Sequence, residues 1–172
     1  MRRKVITAIF IVAAFLLQST VFDRLTFADV RPNLMIIVTA SFGFMRGPKE
    51  GMAVGFICGL LADVYWGGLL GFYGLIYTVI GYLNGTFHRM FYDDDIKLPL
   101  ALIGCSDLLG SLAAYICLFM LQGKFIFSFY LGRVMLPELI YTILITLVLY
   151  QVILQVNRRL EAKEQRSASK FV

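Results

Sequence analysis

Residues 47–71 read G-P-K-E-G-M-A-V-G-F-I-C-G-L-L-A-D-V-Y-W-G-G-L-L-G, and this stretch decides the fold. Glycine stands at 47, 51, 55, 59, 67 and 71, and Asp63 fills the one missing beat. Residues four apart share a helix face, so Gly51, Gly55, Gly59 and Asp63 form one slowly winding stripe. In water each interior glycine costs about 1 kcal/mol against alanine. In lipid, helices associate through close backbone packing, which small residues four apart permit. The stretch therefore predicts a membrane helix with a flat side that another helix covers, from this chain or from another subunit. Gly51, Gly55, Gly59 and Gly71 are the candidate residues for helix packing or partner binding. A carboxylate at depth is costly against lipid, so Asp63 should face protein.

The rest of the chain fits this reading. Of 172 residues 59% are hydrophobic and the mean hydropathy is +0.79, well above the 45–50% or so of a soluble domain. The net charge of +5 does not point to nucleic acid, because the basic residues sit at the ends of apolar runs rather than in one patch. Cys58, Cys105 and Cys117 lie in apolar runs without a C-x-x-C spacing, and are expected as buried thiols. The basic start Met1-Arg2-Arg3-Lys4 has no small-x-small cleavage site after its apolar run, which predicts an uncleaved first span.

Six apolar runs divide the chain, with approximate spans 5–22, 32–45, 51–66, 69–85, 98–121 and 134–156. Residues 1–156 thus read as a single six-helix membrane domain and 157–172 as a basic cytoplasmic tail. The second run is short for a span, which usually takes about 20 residues. Positive charge decides whether it crosses. With six crossings and both ends in the cytoplasm, 12 basic residues lie inside and 4 outside. If the second run dips and returns, the counts become 5 and 11. Six crossings prevail, and Arg31 and Arg46 can snorkel to lengthen the short span. Tyr65 and Trp66 at an outer end, and Phe87, Phe91 and Tyr92 at an inner end, suit interfacial belts. The aromatics 125, 127, 129 and 130 suit interface seating or an outer docking surface.

Three acids lie within spans: Asp63, Asp107 and Glu138. At about 1.5 Å per residue, Asp63 is about 18 Å and Asp107 about 14 Å from the inner ends of their helices. Glu138 is about 6 Å from the outer end of its own. These depths allow Asp63 and Glu138 to meet in the outer half, near Arg133, with Asp107 closer to the midplane. Each is either a functional acid or a structural polar contact: for Asp63, to Arg133, a tyrosine hydroxyl or free backbone, and for Asp107, to neighbouring hydroxyls. Pro137 suits the first turn of the last span, where a missing N–H costs little, and Glu138 can face that helix's positive end. His88 is the single histidine, so no catalytic residues, metal site or cofactor are expected. Asp93-Asp94-Asp95 reads as a solvated turn.

The order and spacing of several motifs resemble the rod shape-determining protein MreD family. These are Leu17-Gln18-Ser19-Thr20, Pro32-Asn33-Leu34, Gly47-Pro48-Lys49-Glu50-Gly51, Gly55-Phe56-x-x-Gly59-Leu60-Leu61-x-Asp63, Gly67-Gly68-Leu69-Leu70-Gly71 and Leu136-Pro137-Glu138-Leu139-x-Tyr141-Thr142. The resemblance implies an all-α, multi-pass protein of the bacterial cytoplasmic membrane. Its fold would be similar to the substrate-binding subunits of energy-coupling vitamin transporters. It implies a non-enzymatic scaffold of the elongation machinery, with MreC as direct partner and MreB, RodA and an elongation transpeptidase in the same complex. The alternatives are a small-molecule-binding subunit with Asp63, Asp107 and Glu138 lining an outward pocket, or an enzyme with two carboxylates on one cavity.

Overall fold

The computed structural model describes residues 2–21, 31–66, 70–90, 96–117 and 127–168. Among these there is no strand. The chain forms α1 (Arg2–Thr20), α2 (Leu34–Arg46), α3 (Pro48–Trp66), α4 (Phe72–Thr86), a 3-10 turn (Phe87–Met90) and α5 (Lys97–Tyr115). It ends in a continuous helical rod: α6 (Phe127–Tyr130), a π turn (Leu131–Met135) and α7 (Leu136–Ala168). Lys97–Tyr115 and Leu131–Arg159 are long and apolar enough to cross a membrane, and Lys4–Thr20 and Leu34–Arg46 are shorter apolar helices. The turn at Gly67-Gly68, Phe91, Tyr92, Phe125 and Asp93-Asp94-Asp95 lie outside the described residues.

The body is built around α2, the shortest of the predicted spans. Every residue from Leu34 to Met45 is buried, and α2 touches α1, α3, α4, α5 and α7. A helix apolar all round is a central helix, and LMIIVTASFGFM offers no polar face to water. With no water at such depth, its end groups need partners from the protein. At the N-terminal end, Gln18 of α1 accepts from the Met35 amide at 3.2 Å. Asn33 Oδ1 accepts from the Ile36 amide at 3.2 Å, and the Asn33 amide donates to Thr142 Oγ1 of α7 at 3.2 Å. At the other end, His88 Nδ1 donates to the Phe44 carbonyl at 2.9 Å, and Gly47, at φ 94°, returns its amide to Gly43 at 2.8 Å.

The glycine stripe packs α3 onto α4. A β-carbon at Gly51 would meet the Gly81 carbonyl, one at Gly55 the Tyr77 carbonyl, and one at Gly59 the Tyr73 carbonyl and Gly74. The register steps by four on each antiparallel helix, and α4 brings its own glycines, Gly74, Gly81 and Gly85, to the seam. Gly43 of α2 completes the contact, since a β-carbon there would lie 2.8 Å from the Gly81 carbonyl. The stripe is therefore occupied from within the chain, and α4 leaves no room on it for a helix of another subunit.

The rod from 127 to 168 differs from expectation at its start. Pro137 does not open the last helix, because helical backbone already runs from Phe127. The wide π turn just before it accommodates the missing amide hydrogen bond. Past the expected span the backbone stays helical to Ala168. Cys58 is buried as expected, whereas Cys105 on α5 and Cys117 just beyond its end are exposed.

Candidate functional site

Buried polar side chains lie at both ends of α2 and, with Thr39 and Ser41, within it, and three constellations account for the charged ones.

The first is Asp63. Its Oδ2 accepts from the amides of Gly71 at 2.8 Å and Gly74 at 3.1 Å, and its Oδ1 from Tyr73 at 2.9 Å. Gly71 is the residue before α4 and has φ 96°, a left-handed conformation that suits glycine and leaves no side chain to cap the helix. Asp63, reaching over from α3, does that work and places a negative charge at the positive end of α4. It is 2% exposed. Of the contacts open to Asp63 in sequence, the one it makes is to free backbone: three amides at the start of α4 take both its oxygens.

The second is the pair Asp107 and Glu138. Asp107 and Ser111 stand four apart on α5, and Glu138 and Thr142 four apart on α7, so each pair presents one face. Ser111 Oγ donates to Glu138 Oε2 at 3.1 Å, and Thr142 hydrogen-bonds Asp107. These two rungs join α5 to α7. Glu138 lies close enough to Asp107 to feel its charge. Beside them Tyr77, fully buried, exchanges hydrogen bonds with Asn33 at 2.9 and 3.1 Å. Asp107 is 1% exposed, and its Oδ1 has no hydrogen-bond partner. Its carboxyl therefore belongs to Glu138's neighbourhood and turns inward. The two rungs were legible in the i, i+4 spacing of Asp107/Ser111 and Glu138/Thr142; Asn33 and Tyr77 carried no such mark.

The third is Arg46, at the opposite end of α2. It does not snorkel outward. Its Nη1 donates to Thr7 Oγ1 of α1 at 2.7 Å and reaches Glu50 of α3 at 3.3 Å, while Nε donates to Asn157 of α7 at 3.0 Å. The guanidinium also lies over the Phe42 ring, 4.6 Å from its centre. A fork of donors serves three helices at once, which a lysine's point charge would not. Sequence reading left Arg46 to snorkel from the end of the short second span, because a charge ending an apolar run is normally solvated.

Chemically these groups bind helices to one another. His88 is engaged by the Phe44 carbonyl. Among the described residues no group of three or more His, Cys, Asp or Glu side chains is placed to hold a metal ion.

Neither a curated protein nor a solved structure matches the chain. The model of one family, described as rod shape-determining protein MreD, matches residues 1–159. With nearly the whole chain covered, and the glycine seam, the Asp63 cap and the Pro137-Glu138 segment all inside the match, the chain belongs to the MreD family of rod shape-determining proteins.

Proposed function

We propose that the protein acts in rod-shape determination as a non-enzymatic scaffold of the elongation complex. It sits in the bacterial cytoplasmic membrane by six crossings with both ends inside. It docks MreC directly and, through the complex that also holds MreB, RodA and an elongation transpeptidase, supports peptidoglycan synthesis. One observation carries this reading: the charged side chains inside the body are turned to joining helices. Asp63 holds three amides of α4, and Arg46 joins α1, α3 and α7 to α2. The outer faces are apolar, with Ile140, Leu144 and Val148 of α7 at 60%, 57% and 69% exposure. Such faces suit lipid and neighbouring helices.

The experiment is copurification of MreC with tagged protein from native membranes, with photo-crosslinkers at Ile140, Leu144 and Val148 and, for comparison, at Leu75 and Val79 of α4. Stoichiometric MreC and an MreC adduct from at least one face support the reading. Loss of MreC under mild detergent, with no adduct at any position, rejects it.

A second reading, a small-molecule-binding subunit, is favoured by the unpartnered Oδ1 of Asp107 beside Glu138. It requires a bound compound in protein purified from its own membranes and the loss of that compound in Asp107→Asn.

A further inference from the structure

The seam between α1 and α3 is open along one half of its length and shut along the other. In the open half a cavity of about 530 Å³ is lined by Lys4, Thr7, Ala8, Ile11 and Val12 from α1, by Arg46, and by Glu50, Ala53, Val54, Ile57 and Leu61 from α3. The two helical contributions recur at three- and four-residue spacing, so each is one face of its helix. Ile11 and Val54 are buried at its floor, and Ala8 and Ala53 are too short to bridge the gap between the walls. In the shut half Phe15 and Tyr65 meet edge to face, 6.0 Å between ring centres. Beyond them only about 10 Å³ of space remains, beside Gln18, Met35 and Ala62.

We infer that this groove is a binding site for one acyl chain of an anionic phospholipid, with the headgroup phosphate at Lys4 and Arg46. Three features select this occupant. The walls are apolar except at one end, and that end carries Lys4, Arg46, Thr7 and Glu50, with Glu50 paired to Arg46, so the mouth keeps a net positive charge. Lys4 is exposed, whereas Arg46 is oriented by Thr7 and Asn157 so that its fork is fixed before a phosphate arrives. The groove is also the depth of one leaflet. Glu50 to Leu61 spans about 16 Å of helix, against about 15 Å for half of a bilayer's hydrocarbon. A partner's transmembrane helix would need about 30 Å of continuous seam, and the Phe15–Tyr65 contact ends it halfway. On the proposed topology the charged mouth opens at the cytoplasmic leaflet, where anionic headgroups meet basic side chains.

The test uses full-length protein in mild detergent, titrated with dioleoylphosphatidylglycerol or with dioleoylphosphatidylcholine, which has the same chains and no net charge. Retention is read by native mass spectrometry. The intact protein should retain one phosphatidylglycerol about fivefold more tightly than phosphatidylcholine, the preference that one basic residue near a headgroup supplies. Lys4→Gln should weaken phosphatidylglycerol more than phosphatidylcholine and so narrow that preference, because the mouth loses one of its two cations. Ala53→Phe, which fills the groove, should weaken both lipids together. Because a bulky residue can disturb α1, phosphatidylglycerol with a photo-reactive acyl chain serves as a second measurement. Its adducts should fall within residues 4–12 and 46–61. Equal retention of the two lipids, unchanged binding by Ala53→Phe, adducts concentrated elsewhere, or a polypeptide adduct from a crosslinker at Ile57 in native membranes would each overturn the assignment. None of these results bears on whether MreC copurifies, so this site and the scaffold reading stand or fall separately.

Discussion

Gly55 of α3 lies directly against the main-chain carbonyl of Tyr77 on α4, with the Thr39 methyl of α2 closing the third side. Three helices meet at a point where one hydrogen atom is all that fits. Gly55→Ala should therefore destabilise the protein by about 1–3 kcal/mol through overpacking, despite alanine's better helix propensity. Gly104→Ala is the control, since its β-carbon would rest 3.5 Å from the Leu139 Cδ1 methyl, an ordinary contact. It should be neutral or stabilising by up to about 1 kcal/mol. Thermal unfolding of the two variants in the same detergent compares them directly, and an equal melting temperature would contradict the argument.

Asp63 offers a test of capping at a distance. Asp63→Ala leaves the Gly71, Tyr73 and Gly74 amides without their acceptor, at a cost of about 2 kcal/mol or more. Asp63→Asn keeps one acceptor oxygen and should lose about half as much. Hydrogen exchange checks it residue by residue: protection at residues 71–74 should fall in both variants, more in the alanine one, with the far end of α4 unaffected.

Arg46 should not tolerate lysine. Arg46→Lys keeps the charge but not the fork, and should cost about 1.5–3 kcal/mol. Combined with Thr7→Val the losses should fall short of additive by about 0.5 kcal/mol or more, since both variants remove the same hydrogen bond. A double-mutant cycle on unfolding midpoints provides the measurement; strict additivity would place the Thr7 contact outside the energetics.

The pair Asp107 and Glu138 separates scaffold from binder. Glu138→Gln retains an acceptor for Ser111 and removes one of two neighbouring like charges, so the fold should be unchanged or slightly more stable. Under the scaffold reading, cells carrying Glu138→Gln or Asp107→Asn remain rods with normal MreC recovery. Round cells with a normally folded, normally assembled variant protein would instead assign these acids a ligand.

Much of the arrangement was legible in sequence because glycine spacing reports backbone contact directly. Gly51, Gly55 and Gly59 predicted a covered face, and α4 covers it. The extent of the apolar runs predicted α2, α3 and α4 to within a few residues. The identity of the central helix was not legible, since a 13-residue run such as α2 looks like a weak span when only length is counted. Its rank follows from contacts on every side, which periodicity does not encode. The acids were recognised as buried, and free backbone was among the contacts open to Asp63, but which contact it takes was not legible, because depth along a helix gives height and not azimuth. Asp63 turns to the start of α4 and Glu138 to Ser111 of α5. Arg46 was misread for a related reason: terminal position suggested solvent, whereas Thr7 and Asn157, distant in sequence, draw it inward.

The hydrogen bond from the Asn33 amide to Thr142 spans 109 positions of chain, and it carries a consequence for biogenesis. A ribosome releases α2 long before α7, so for most of synthesis the N-terminal end of α2 lacks one of its acceptors. Nascent α2 is thus provisional until the last rod arrives to fasten it. Chains stalled before residue 142 should leave that end open to protease, and release of the full-length polypeptide should close it.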